Sequence, residues 1–314
     1  MPSILRSVAQ TAILRLLAII GCLVYSLTVS ALDVYIAFDP RGDPNNLSLL
    51  NKVENHIRQG FPEATVSTVT SPLPATKTDP NDQIIVSLGS ESLQQLLKDT
   101  PTIPIIAIFI SRASFLEHVK SYPDHSSITA VFSDPSIIKQ LALIRILYGD
   151  KIHVGYFAND NDAYIDEVMD YSRQIGLSID KLAYKDQTPR VDLLKNIDVL
   201  LLQNNKTLFQ HISLDDLLYI TYDLNNTGIV GYSSGLVKSG AVATTYHNLD
   251  DILNTLDTSL GEFSETGKLH SPTYPETYQL LSNNYVIRSL GLSKPSDEKI
   301  IDYIDQYGRQ ENGL

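Results

Sequence analysis

One serine in the sequence has a setting that could support nucleophilic catalysis. Gly231-Tyr232-Ser233-Ser234-Gly235 has the Gly-x-Ser-x-Gly spacing of a nucleophile elbow, and Asp250 and His270 follow it in hydrolase order. A nucleophile elbow turns directly into a helix, whereas the chain after Gly235 leads through a glycine into the β-branched run at 242–245. We therefore predict that the protein is not an enzyme, and a secreted serine hydrolase using Ser233 stays as an alternative.

Metal and phosphate-loop patterns are weak in this sequence. The 7 histidines stand singly and Cys22 is the only cysteine, so we expect no metal site. Gly261 to Lys268 has the outline of a phosphate loop, but Leu269 stands where a serine or threonine would bind Mg²⁺, and a helical pattern precedes it. We interpret 261–268 as a loop that ends a helix, and we expect no cofactor.

Short polar segments follow six of the predicted strands. In doubly wound α/β proteins the ligand lies outside the carboxyl ends of the parallel strands. Helices that begin after Ser90 and Asp134 could also donate backbone N–H groups to an anion, although ordinary capping by Ser90, Asp134 or Asn161 is the alternative explanation. The predicted ligand contacts are Gly89, Ser90, Ser111, Arg112, Ser133, Asp134, Asn159, Asn204, Asn205, Tyr232, Ser233 and Ser234.

Alternating strand and helix patterns predict the scaffold that positions these residues. The first unit has predicted strands at 33–38, 65–69, 83–88, 103–110 and 128–132, and helices at 47–57, 91–98 and 114–120. A long amphipathic helix at 136–148 leads into a second unit, with strands at 152–157, 177–184, 199–202 and 229–230 and helices at 163–175, 191–195 and 214–222. This alternation predicts an α/β protein of two similar Rossmann-like lobes with parallel sheets.

Residues 1–31 have the pattern of a secretory signal peptide. Arg6 and Arg15 precede an apolar run without acids, and Val29-Ser30-Ala31 supplies small residues for cleavage. We expect cleavage after Ala31 and a periplasmic protein. Ile19-Ile20-Gly21-Cys22 resembles a lipobox, but only six residues separate Arg15 from Cys22, fewer than the usual apolar region of roughly 7–15 residues. A lipoprotein anchored through Cys22 is the less favoured alternative.

Composition restricts the partners of the exported chain. The net charge is −12 and becomes about −14 without residues 1–31, which argues against nucleic acid or an anionic membrane as partner. Without Cys22 the exported protein has no disulfide, so its stability requires a large core. The remaining length of roughly 280 residues, at about 100–200 residues per domain, predicts two domains. We expect a monomer.

The segment from Ile229 to Tyr246 carries a family resemblance. It reads as a strand, a short polar segment, then Lys-x-Gly-Ala and a small-residue strand that ends in tyrosine. It resembles the ABC-transporter substrate-binding proteins of the tryptophan/tyrosine type, and segments at 84–93, 129–134, 151–157 and 284–292 agree with that family in order. The resemblance implies a type I periplasmic-binding fold that holds a small molecule between its lobes and delivers it to a membrane permease. A sensory or regulatory binding protein without transport is the alternative.

The resemblance also implies domain boundaries and a ligand type. Lobe 1 is expected to comprise 32–135 and about 241–263, and lobe 2 to comprise 136–240 and about 264–314. Relatives tend to carry Asp-Pro where Ser111-Arg112 stands here, and an acid within 202–205. Without these acids an amino-acid ligand is in doubt. Arg112 instead favours a ligand with a carboxylate or phosphate, unless it is an ordinary surface arginine.

Overall fold

Two β-sheets of mainly parallel strands form the centres of two lobes. The computed structural model describes residues 32–40, 45–69, 82–99, 102–120, 122, 125–158, 164–183, 191–204 and 206–308. The predicted signal peptide, Asn159 and Asn205 lie outside these ranges. Within them, every helix is too short or too polar to cross a membrane.

The first lobe contains a five-stranded parallel sheet. Its strands are β1 (Asp33–Ala37), β2 (Thr65–Val69), β3 (Gln83–Leu88), β4 (Ile105–Ile110) and β5 (Ile128–Phe132), in the order β2-β1-β3-β4-β5. The three helices that connect them are α1 (Asn45–Gly60), α2 (Gly89–Lys98) and α3 (Arg112–Val119). Strands β3, β4 and β5 are nearly continuous apolar runs, as expected for strands covered on both faces.

The second lobe begins after the crossover helix α4 (Ile137–Tyr148). Its elements up to the next crossover are β6 (His153–Ala158), α5 (Ile165–Ile175), β7 (Ser178–Ala183), the 3-10 turn Val191–Asn196, β8 (Val199–Leu201), α6 (Lys206–Phe209), α7 (Leu214–Leu218) with the π-helical turn Tyr219–Leu224, β9 (Gly228–Val230), α8 (Ser234–Ser239) and β10 (Ala243–Tyr246). The parallel strands have the order β10-β9-β8-β6-β7, which repeats the winding of the first lobe.

The chain then crosses between the lobes twice more. Helix α9 (Leu249–Thr266) packs with α1 on one face of the first sheet, while α2 and α3 cover the other face. Thr273 next pairs with the edge of β5, and β11 (Gln279–Ser282) returns to the second sheet, antiparallel to β10. Helices α10 (Asn284–Ser289) and α11 (Asp297–Gly308) complete the second core with α4 and α5.

The α/β class and the two parallel-dominated sheets confirm the sequence-based prediction. The expected domain boundaries need correction, because β10 belongs to the second sheet and only α9 and the segment beside β5 return to the first. The interpretation of 261–268 as a loop was also wrong in part. Gly261 lies inside α9, which ends at Gly267, where a φ of 66° suits glycine.

Candidate functional site

The polar residues that follow β3, β4 and β5 lie at one edge of the first sheet. Gly89 and Ser90 begin α2, Ser111 precedes α3, and Ser133 and Asp134 follow β5. Ser90 Oγ lies 2.7 Å from His118 Nε2 in the last turn of α3, so the start of α2 is joined to the end of α3. The strand order places the switch point of this sheet between β1 and β3, where doubly wound proteins bind ligands. Gly89 stands at that point.

The turn from β3 into α2 depends on Gly89. Its φ is 83°, in the left-handed region that other residues rarely adopt, and nothing lies within 4 Å of where its Cβ would be. The residue before the helix, Leu88, makes no side-chain cap hydrogen bond. Ser90 is therefore not the N-cap that the alternative explanation assumed. The amino end of α2 has no side-chain cap from its own N-cap residue.

Asp134 and Ser111 instead cap α3 together. Asp134 Oδ1 accepts a hydrogen bond of 2.9 Å from the backbone N–H of Arg112, and Ser111 Oγ accepts one of 3.2 Å from the N–H of Ser114. Asp134 does not cap the helix that follows it, because the N-cap of α4 is Ser136. The ends of β4 and β5 are thus fastened to each other, which fixes the backbone that carries Arg112.

The side chain of Arg112 crosses to the second lobe. Its Nη2 lies 2.9 Å from Oε1 of Glu167 in the first turn of α5, and the two side chains are only 23% and 20% exposed. The guanidinium carbon lies 5.8 Å from the ring centroid of Phe132 in lobe 1 and 5.9 Å from that of Tyr164 in lobe 2. Burial raises the pKa of the Glu167 carboxyl, and Arg112 partly offsets that rise. The predicted site residue Arg112 therefore joins both lobes.

A pair of tyrosines makes a second contact at the same place. The hydroxyls of Tyr164 and Tyr274 lie 3.3 Å apart, and both side chains are buried. Tyr274 packs edge-on against Phe132, with ring centroids 4.9 Å apart. Glu167, Tyr164 and Tyr274 were not predicted from the sequence. Glu167 resembles any acid in the first turn of a helix, and Tyr274 lies in a segment with no strand or helix pattern.

The chain resembles known proteins in its fold and not detectably in its sequence. No protein-family model matches the chain, and no curated protein matches it significantly. An ABC domain in complex with L-Trp from Streptococcus pneumonia superposes with a TM-score of 0.56 at 14% identity, over 87% of this chain and 98% of that one. The ligand-free, open form of a substrate-binding protein with adhesive properties from Clostridium difficile gives a TM-score of 0.59 at 15% identity, over 86% and 97% of the two chains. A conserved domain protein from Vibrio cholerae gives 0.57 at 13% identity, over 87% and 98%.

The chain has the fold of the ABC-type substrate-binding proteins. This finding confirms the type I periplasmic-binding architecture that the sequence resemblance implied. In a fold of two doubly wound lobes the strand ends of both sheets border the interlobe cleft. The ion pair of Arg112 with Glu167 spans this cleft.

The predicted ligand contacts of the second lobe differ from one another in solvent exposure. Tyr232 and Ser233 lie between β9 and α8, Ser234 begins α8, and all three are half-buried. The Tyr232 ring packs against Phe209 with centroids 6.1 Å apart. Burial raises the pKa of Tyr232. Asn204 follows β8 and is exposed to solvent. Asn159 and Asn205 remain predictions, because they fall outside the described residues.

Ser233 acts as the N-cap of α8. Its Oγ accepts a hydrogen bond of 3.2 Å from the N–H of Leu236, and six helical residues follow. The expectation that no helix follows the serine was therefore wrong. A catalytic triad is nevertheless not assembled, because His270 makes contacts elsewhere: its Nε2 lies 2.5 Å from Ser259 Oγ and its Nδ1 2.5 Å from the Ser271 carbonyl oxygen.

A buried polar network supports the strand ends of the second lobe. Gln140 on α4 donates from Nε2 to the carbonyl oxygens of Gly231 and Thr245 at 2.9 and 3.1 Å, and lies 3.1 Å from Thr244 Oγ1. Within the described part of the chain, Oε1 of Gln140, Oγ1 of Thr245 and Nε2 of His247 are buried without a hydrogen-bond partner. Buried polar atoms of this kind are usually satisfied by water or a ligand.

A groove of about 480 Å³ lies beside α9. Its walls are polar and apolar in nearly equal parts and come from α9 and from the chain between His270 and Thr277. Arg112 lines it, and the other predicted contacts do not. The groove is therefore lined mainly by α9 and by the segment that follows it. Across the described residues, no group of three histidines, cysteines or acids could hold a metal ion.

Proposed function

We propose that this protein is a periplasmic substrate-binding protein, which captures a small molecule between its lobes and delivers it to the permease of an ABC transporter. The observation that supports this most strongly is the pairing of Arg112, at a strand end of lobe 1, with Glu167 of lobe 2 across the cleft. A ligand held at this position would contact both lobes. Such a ligand favours the closed arrangement because it binds that arrangement better than the open one.

We propose that the ligand carries a carboxylate or phosphate group. The Arg112 guanidinium can form paired hydrogen bonds with such a group, and its Nε is buried without a hydrogen-bond partner among the described residues. The N–H groups at the start of α2, near Ser90, suit the same kind of anion. The L-Trp bound by the Streptococcus structure also carries a carboxylate. Gly89, Ser90, Ser111 and Ser133 are proposed as further contacts in lobe 1.

In lobe 2 we propose Tyr232 and Ser234 as the nearest ligand contacts. Ser233 would contribute through its backbone, since its hydroxyl already caps α8. The half-buried hydroxyls at these strand ends can donate and accept hydrogen bonds with a bound molecule, which supports a binding role.

The ligand can be found by mass spectrometry of compounds that co-purify and by a thermal-shift screen of amino acids, organic acids, sugars and nucleosides. A ligand that binds only the native protein stabilises it by about 2.7 kcal/mol at a hundredfold excess over Kd. Arg112→Ala should weaken binding of an anionic ligand by about 1.5–3 kcal/mol. Arg173→Ala, which removes an exposed arginine of α5, is the matched control. A ligand that binds Arg112→Ala and the parent equally would contradict the assigned site.

Delivery to a permease requires a separate experiment. If the protein serves transport, deletion of its gene should abolish cellular uptake of the ligand identified by the screen. Unchanged uptake together with loss of a transcriptional or chemotactic response would favour the sensory alternative. Both outcomes are independent of which residues contact the ligand.

A further inference from the structure

The only ion pair between described side chains of opposite lobes is that of Arg112 with Glu167. The other ion pairs of the described residues each lie within one lobe, and each has at least one side chain more exposed than those of Arg112 and Glu167, as for Arg173 with Asp170 at 68% and 59%. Exposed pairs contribute little because water and salt screen them. Arg112 and Glu167 are only 23% and 20% exposed, so their attraction is less screened.

The two charged groups are held in place by independent parts of the fold. The backbone of Arg112 is fastened to the end of β5 through Asp134 Oδ1. Glu167 lies in the first turn of α5, whose buried face packs into the second core through Val168 and Ile175. An acid in this turn is also favoured by the helix dipole. Formation of the pair therefore fixes one lobe relative to the other, because both side chains extend from backbone that is anchored in its own lobe.

Aromatic rings from both lobes enclose the guanidinium. Phe132 of lobe 1 and Tyr164 of lobe 2 have ring centroids 5.8 and 5.9 Å from its central carbon, within the range of cation–π attraction. The hydroxyl of Tyr164 also reaches Tyr274, which packs in the first lobe. All these contacts would be lost if the lobes separated at this edge.

We infer that Arg112 and Glu167 form an interlobe latch, which holds a fraction of the ligand-free molecules closed. The inference rests on the proposed function, because it describes how the proposed cleft opens. An anionic ligand group that reaches Arg112 competes with Glu167 for the guanidinium, so the ligand enters when the latch is broken. The latch thus lowers the apparent affinity by reducing the fraction of molecules that can accept a ligand.

The latch can be tested by measuring the distance between the lobes without ligand. Spin labels are attached at Glu117→Cys on α3 and Gln174→Cys on α5, both exposed positions, in a chain that carries Cys22→Ser. The protein is dialysed until native mass spectrometry detects no bound compound. Double electron–electron resonance then gives the populations of closed and open molecules.

Glu167→Gln keeps the shape of the side chain and removes its charge. We expect this change to lower the ratio of closed to open molecules by about threefold to tenfold. Arg112→Gln also removes the guanidinium from the rings of Phe132 and Tyr164, so it should lower this ratio at least as much. The double variant should be no more open than Arg112→Gln alone, because the ion pair is already broken in that variant. Glu54→Gln, which breaks an exposed ion pair within α1, should leave the distances unchanged.

Identical distance distributions in the parent and in Glu167→Gln would overturn the latch, as would an additive effect in the double variant. Circular dichroism of each variant excludes loss of the fold as the cause of a change. Because no ligand is added, this result does not depend on capture. A failed ligand screen would count against the proposed function and leave the latch intact, whereas an unchanged distance would count against the latch alone.

Discussion

The Nδ1 atom of His247 lies 2.9 Å from the carbonyl oxygen of Thr277, and this hydrogen bond joins two of the segments that cross between the lobes. A carbonyl oxygen only accepts, so Nδ1 is the donor and Nε2 of the neutral ring is an acceptor. Burial, the largest cause, lowers the pKa of His247 to about 4. The ring is therefore neutral at physiological pH.

His247 should make the free energy of unfolding depend on pH. The unfolded ring binds a proton near its ordinary pKa of about 6.5, while the folded ring does not until about pH 4. The neutral His247 ring therefore makes its full contribution to the free energy of unfolding above about pH 6.5, and this contribution is lost as the pH falls towards 4. We expect a loss on the order of 3 kcal/mol, measured by urea unfolding across this range.

His247→Gln should remove most of this dependence between about pH 6.5 and 4. His153→Gln, which changes an exposed ring, is the control and should retain the parent profile. Parallel stability curves for His247→Gln and the parent would show that the buried ring is not the cause.

Gln140→Leu should destabilise the second lobe by about 1–3 kcal/mol, because the carbonyl oxygens of Gly231 and Thr245 lose a buried donor. The cost is moderated because Thr244 Oγ1 lies 2.6 Å from both carbonyl oxygens and can donate its one proton to either of them. Equilibrium urea unfolding measures it. Gln174→Leu on the exposed side of α5 should stay within about 0.5 kcal/mol of the parent. Equal losses in the two variants would argue against the network.

Two glycine substitutions should have opposite effects on stability. Gly89→Ala places a Cβ on a backbone with a φ of 83° and should cost about 1–2 kcal/mol. Gly261→Ala lies inside α9, where nothing is within 4 Å of the added Cβ, and should stabilise by about 0.5–1 kcal/mol. Thermal unfolding of both variants tests these two stability predictions. A neutral Gly89→Ala would mean that the turn into α2 tolerates other residues.

Ser233→Ala should cost about 1 kcal/mol of stability, because α8 loses its N-cap hydrogen bond. We expect no ester hydrolysis in the parent, since His270 contacts Ser259 and Ser271. Assays with short-chain nitrophenyl esters test this directly. Hydrolysis that disappears in both Ser233→Ala and His270→Ala would instead establish the hydrolase alternative.

The strands were the most predictable part of the fold. The predicted bounds 65–69, 83–88 and 128–132 agree with β2, β3 and β5, because strands in a parallel sheet are marked by β-branched and apolar runs. Helix α8 was missed because six residues with an N-terminal Ser-Gly give almost no helical periodicity. The boundary at 241 was misplaced because a crossover leaves no local pattern.

Only part of the candidate site could be predicted from the sequence. Arg112 could be named because it follows a predicted strand. Its partner Glu167 lies 55 positions later, and only the packing of α5 against the second sheet brings it within 2.9 Å. His247 likewise gains its neutral state from burial, which outweighs the opposite effect of the Thr277 hydrogen bond on its pKa, and this burial has no signature along the chain.

The measurement that tests the central claim most directly is the interlobe distance with and without the compound found in the screen. With the label pair at Glu117→Cys and Gln174→Cys, the account predicts that saturating compound removes the open population and leaves one narrow, closed distribution. A compound that stabilises the protein and leaves both populations unchanged would contradict capture between the lobes.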